Sequence, residues 1–110
     1  MIELNHEQLV AKCTAATGRF ALFVYTPLCG TCKVGERMLA ITEVMMPGLP
    51  LFRCNVNAMP AVALQWKIQS VPCLLIIRAG EPERVLYAFQ SVENIYRFLQ
   101  AAGFDQKSPG

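Results

Sequence analysis

The chain has 110 residues, 54% of them hydrophobic and 16% charged, with 7 Gly and 7 Pro, a balance that fits one globular domain and excludes a disordered chain. The formal charge of +2 comes from 10 basic and 8 acidic residues scattered along the chain, and the absence of any Lys/Arg run excludes a surface that tracks a nucleic-acid backbone. No apolar stretch approaches the roughly 20 residues needed to cross a bilayer, and Met1 to Glu7 lacks the basic end and apolar run of a signal peptide, so the expected location is cytoplasmic, with no membrane partner. Five cysteines in such a compartment argue against a structural disulfide framework, so any disulfide is expected to be chemistry.

Met1 to Leu4 reads as a short edge strand. Asn5 followed by Gln8 has the spacing of a capping box, and Leu9, Val10, Cys13, Ala16 and Thr17 continue at helical spacing toward Gly18. Phe20 to Tyr25 is apolar throughout, as in a strand covered on both faces, and Pro27 stops it. A second helix is predicted from about Gly30 to Met45, ended by Pro47-Gly48, with Val34, Met38, Leu39 and Ile41 to Met45 buried and Gly35 weakening it slightly. Leu51 to Val56 alternates as a strand does. Asn57 is the expected cap of a short helix carrying Val62, Leu64 and Trp66, with Pro60 in its first turn. Cys73 to Arg78 is a second fully apolar strand, which a turn at residues 79–82 joins to a strand from about Arg84 to Phe89. Ser91 caps a last helix with Val92, Ile95, Phe98 and Leu99 on one face, closed by Gly103. The order β-α-β-α-β-α-β-β-α predicts an α/β fold with a central mixed sheet and helices on both faces. The expected domain is 1–103, and 104–110 is expected to be a flexible tail.

Cys29-Gly30-Thr31-Cys32 follows a strand and a short loop and opens a helix. Two intervening residues at a helix start bring both sulfurs within bonding distance, and the first cysteine lies where unpaired N–H groups and the positive end of the helix dipole converge. A thiolate is favoured there, which makes Cys29 the nucleophile by position. Cys32, one turn inside the helix, is placed to attack a mixed disulfide on Cys29 and release a reduced product. Lys33 adds positive potential beside the motif.

With these pieces in order, residues 2 to 102 resemble the thioredoxin family: an apolar strand, Cys29-Gly30-Thr31-Cys32-Lys33, Val71-Pro72 opening the next apolar strand, Gly80 in the hairpin and a C-terminal amphipathic helix. The resemblance implies a thioredoxin-like fold and a thiol-disulfide oxidoreductase working on protein disulfides in cell redox homeostasis. It needs no bound cofactor and is recycled by a thioredoxin-reductase-like protein or a low-molecular-weight thiol. It also implies a cis bond at Pro72, pairing of the Val71 backbone with substrate, and a substrate-facing set of Leu28, Gly30, Thr31, Val71 and Pro72. Three positions depart from the family. Leu28 stands where Trp is usual, Gly30-Thr31 replaces Gly-Pro, and Phe23 occupies the place of the buried acid that accepts the proton of the second cysteine. That acid's lysine partner maps to Arg53, which is no substitute base. Glu36, one turn after Cys32, is expected to face solvent. A glutaredoxin reading shares Val71-Pro72 but lacks the expected Cys-Pro-Tyr-Cys and the later Gly-Gly.

Two other classes remain beside the enzyme: a thioredoxin-like binding module without turnover, which the missing acid permits, and a metal-binding protein, for which a closed site needs four ligands while the remaining candidates are dispersed. Cys13 and Cys54 fall on core-like positions. Cys73 has two readings, since it follows Pro72 near the active cysteines while strand alternation turns its side chain to the core. His6 is expected to be exposed, and Trp66, Met38, Met45 and Met46 are expected to pack.

Overall fold

A computed structural model of the chain describes residues 1–15 and 18–104. Its elements are β1 (Ile2–Glu3), α1 (His6–Ala15), β2 (Arg19–Tyr25), α2 (Gly30–Met45), β3 (Leu51–Asn55), a 3₁₀ turn at Val56–Ala58, α3 (Pro60–Gln65), β4 (Cys73–Arg78), β5 (Glu81–Leu86) and α4 (Val92–Ala101). Ala16, Thr17 and residues 105–110 of the expected tail lie outside the described residues. Among the described residues the strands form one sheet in the order β1-β3-β2-β4-β5. β3 runs parallel to both β1 and β2, whereas β4 is antiparallel to β2 and β5, so the sheet is mixed.

Alternation along the central strands divides the core into two layers. Ala21, Phe23, Leu74 and Ile76 pack with Leu39 and Met46 of the α2 side and Ile95 and Leu99 of α4. Leu22, Val24, Leu75 and Ile77 pack with Leu9 of α1 and Val62 of α3 on the opposite face. A sheet covered on both sides by crossover helices makes its central strands apolar at every position, which explains the unbroken runs in β2 and β4.

Local signals set the ends of the elements. Asn5 and Gln8 exchange reciprocal backbone-to-side-chain hydrogen bonds of 2.8 Å at the start of α1. Ser91 Oγ accepts the Asn94 N–H at 3.0 Å to cap α4. Asn57 does not cap α3. It lies inside the 3₁₀ turn, where its N–H donates to Asn55 Oδ1, and α3 starts at Pro60 behind Met59, because proline needs no N–H partner there.

The β4–β5 turn is tighter than expected. Ala79 and Gly80 form it with φ of 53° and 78°, the pair of positive values that a two-residue hairpin turn requires. A side chain at Gly80 would also come within 2.7 Å of the Cys13 carbonyl, so α1 closes on this turn. β5 therefore begins at Glu81 and ends at Leu86 rather than spanning Arg84 to Phe89. Pro82 is tolerated because β5 is an edge strand whose register with β4 shifts between Ile76 and Ile77.

The buried face of α2 also differs from the expected one. Cys32, Gly35, Leu39 and Thr42 face the core, followed by Met46, while Val34, Ile41, Val44 and Met45 are exposed. Five successive residues cannot share one helical face, and Thr42 can be buried because its hydroxyl donates to the Met38 carbonyl at 2.9 Å. Gly35 is a packing residue. A Cβ there would meet Phe89 Cε2 at 2.8 Å, so the missing side chain lets α2 approach the Phe89 and Phe23 rings. Leu64 of the short α3 is exposed, and His6 is exposed too.

Candidate active site

Cys29 terminates the loop after β2 in an extended conformation and caps α2: its sulfur accepts the Cys32 N–H at 3.1 Å. The sulfur thus sits at the converging N–H groups of a 16-residue helix. Cys29 and Cys32 are joined by a disulfide with Cα atoms 5.1 Å apart. Cys29 is half-buried, and Cys32 is buried at 3% exposure in the α2–α4 layer of the core. Cys29 is thus the more accessible residue of the pair and Cys32 the more deeply buried. Thr31 Oγ1 lies 3.4 Å from Cys29 Sγ.

Leu28, Gly30 and Thr31 adjoin the pair in the chain, and Pro72 shares a groove with Thr31. Leu28 is 99% exposed, and Gly30 and Thr31 are exposed as well. Val71 and Pro72 are half-buried, and their peptide bond is cis. Thr31 and Pro72 line one apolar groove of about 370 Å³ with Val34, Met38, Tyr87 and Phe89.

Cys73 divides from the site at the next residue. It is fully buried in the α1–α3 layer beside Cys54, on the face of the sheet opposite Cys32. Burial pushes the thiols of Cys54 and Cys73 up to about 12, so both are held neutral. Cys13 is half-buried, and burial, with Glu81 second, raises its thiol as well. Met46 is buried, Trp66 and Met38 are half-buried, and Met45 is exposed, against the expectation that it packs. Among the described residues no three His, Cys, Asp or Glu side chains are grouped to hold a metal ion.

Phe23 is 1% exposed and packs against Tyr25, with ring centres 5.8 Å apart, and against Phe89 at 6.1 Å. That side of Cys32 is therefore apolar. Its other side opens on a cleft of about 470 Å³ whose walls include Tyr25, Lys33, Glu36, Arg37 and Arg53. Glu36 does not simply face solvent, as its place on the helix suggested. Arg53 Nη1 donates to Glu36 Oε1 at 2.7 Å, while Arg53 Nε donates to Glu3 Oε1 at 2.7 Å. Tyr25 Oη donates to Glu3 at 2.8 Å, and the guanidinium lies over the Tyr25 ring, 4.6 Å from its centre. Burial works against the Arg53 charge, but Tyr25, Glu3 and Glu36 outweigh it and raise its pKa, so the guanidinium stays protonated. Burial is also the main cause that raises the Tyr25 phenol. This four-residue cluster joins β1, β2, β3 and α2. Its traces in the sequence were the one-turn spacing of Cys32 and Glu36 and the match of Arg53 to the family's lysine position.

A model of the thioredoxin family matches residues 1–101. The chain is 37% identical over 81 residues to the thioredoxin-like protein YusE of Bacillus subtilis, covering 74% of this chain and 76% of that one. It is 23% identical over 84 residues to a thioredoxin of Chlamydia caviae, covering 76% and 82%. It is 25% identical over 77 residues to the thioredoxin-like protein slr0233 of Synechocystis, covering 69% and 73%. With the mixed sheet, the helices on both its faces and the Cys29–Cys32 pair at the head of α2, these matches establish that the chain belongs to the thioredoxin family.

Proposed function

We propose that the protein reduces or exchanges disulfides of other proteins through the Cys29–Cys32 couple. The observation that carries this reading is the placement of Cys29: its sulfur caps a long helix, receives the Cys32 N–H and is partly open to solvent. In the reduced protein the Cys29 thiolate attacks a substrate disulfide, forming a mixed disulfide and releasing one substrate sulfur as a thiolate, which takes a proton from water. Cys32 then loses its proton and attacks Cys29 Sγ, which re-forms the Cys29–Cys32 disulfide and releases the second substrate sulfur. Leu28, Gly30, Thr31, Val71 and Pro72 bound the surface on which the substrate lies, with Val71 offering its backbone to an extended segment. A thioredoxin-reductase-like protein or a low-molecular-weight thiol in a reducing cytoplasm returns the couple to the dithiol.

Trapping tests this. Cys32→Ser should accumulate a mixed disulfide with a small disulfide-bonded protein, and Cys29→Ser should accumulate none. Equal trapping by both variants would overturn the assignment of the nucleophile. The apolar packing around Phe23 favours one other reading, a binding module that forms the mixed disulfide and does not resolve it. Catalytic turnover by the unmodified chain under a thiol reductant separates that reading from the enzyme.

A further inference from the structure

Resting on the exchange reaction proposed above, we infer that Arg53 stabilises the Cys32 thiolate across the cleft shared by α2, β2 and β3, and that Glu36 opposes it. Cys32 is the buried partner, and its attack requires the thiolate. The cleft gives its proton a way out to water. Three cations (Lys33, Arg37 and Arg53) and one carboxylate (Glu36) line the cleft. Tyr25 also lines it, and Glu3 meets it through Arg53 and Tyr25.

These charges are not equivalent. Lys33 and Arg37 are exposed on the helix, where water screens them. Arg53 is half-buried and held in place by Glu3, Glu36 and the Tyr25 ring, so its charge stays in the cleft wall. A guanidinium that cannot lose its proton acts here as a fixed positive potential, not as a base.

Glu36 is poorly matched to the task of accepting the proton. A carboxylate is a far weaker base than a thiolate, so proton transfer from the Cys32 thiol to Glu36 runs uphill. The ionised Glu36 therefore acts on Cys32 mainly through its negative charge and by engaging Arg53, and both effects hold the thiol protonated. In the resolving step the Cys32 proton passes to water in the cleft, the new thiolate forms the bond to Cys29 Sγ, and the departing substrate thiolate takes a proton from solvent.

The test is stopped-flow measurement, between pH 6 and 10, of mixed-disulfide formation and resolution on a small disulfide-bonded protein, using the full chain and three variants. Arg53→Met should move the midpoint of the resolution profile up by about one pH unit and slow resolution about tenfold at pH 7. Glu36→Gln should move the midpoint down by up to about one unit and speed resolution at pH 7. Arg53→Lys, which keeps the charge, should stay nearer the unmodified chain than Arg53→Met does. A cluster that only supports packing would not shift the two midpoints in opposite directions. Unmoved midpoints, or slower resolution in Glu36→Gln, overturn the inference and leave the exchange reaction standing. Failure of the unmodified chain to form the mixed disulfide overturns both.

Discussion

The five thiols are chemically unequal, and alkylation of the reduced protein gives that inequality a number. Reduction frees Cys29 and Cys32, so all five cysteines become candidates for a thiolate-selective reagent such as iodoacetamide. Cys54 and Cys73 are pushed up to about 12 by burial, so at pH 8 about one part in ten thousand of each is ionised. An unperturbed thiol near 8.5 is about one quarter ionised at that pH, which makes the buried pair roughly two-thousandfold slower before access is considered. Access slows them further, since Cys54 is 1% exposed and Cys73, paired to β2, is fully buried in the α1–α3 layer. Cys29 should be labelled first, Cys13 more slowly, and Cys54 and Cys73 only as fast as the protein opens. Peptide mass mapping over a time course reads all five at once, and adding urea should bring Cys54 and Cys73 to the rate of an ordinary thiol. Labelling of Cys73 in the folded protein within tenfold of Cys13 would refute the reasoning and return Cys73 to the redox site.

The same thiols predict loss of stability at alkaline pH. Their folded pKa lies above the ordinary value of about 8.5, so the unfolded chain ionises first and stability falls from about pH 8.5 toward 12, by up to about 2.7 kcal/mol per pH unit for the two together. Urea midpoints measured from pH 8 to 10.5 should show this fall, and a Cys54→Ala/Cys73→Ala variant should flatten it. Gly35→Ala should destabilise the protein by about 1–2 kcal/mol, because the crowding against Phe89 outweighs a helix-propensity gain of about 1 kcal/mol; a higher urea midpoint would show that the ring gives way. Ser91→Ala should cost about 1 kcal/mol by removing the cap on Asn94 N–H, and Ser91→Asn should restore most of it in the same assay.

Features whose physics is local were legible in the amino-acid sequence. The reciprocal Asn5–Gln8 cap, the Ser91 cap, the span of α2 and the two unbroken apolar strands depend on neighbours within a turn or on a two-residue period. The Cys29–Cys32 pair belongs with them, because a strand, a loop and a helix start are enough to bring two sulfurs together beneath a helix N-terminus. Tertiary packing decided what local pattern leaves open. Ile41, Val44 and Met45 offer α2 more than one apolar face, and packing that includes the close approach at Gly35 set Cys32, Leu39, Thr42 and Met46 inward. Cys73 directly follows Pro72 in sequence, yet the pleat of β4 sends its side chain to the layer away from Cys32. The Glu3–Arg53–Glu36 cluster joins residues up to 50 positions apart, because parallel pairing sets β3 between β1 and β2 and brings Arg53 level with both Glu3 and Phe23. Helical period and side-chain type act over a few residues, whereas the charges around a buried thiol depend on which strands become neighbours, and only the folded sheet sets that.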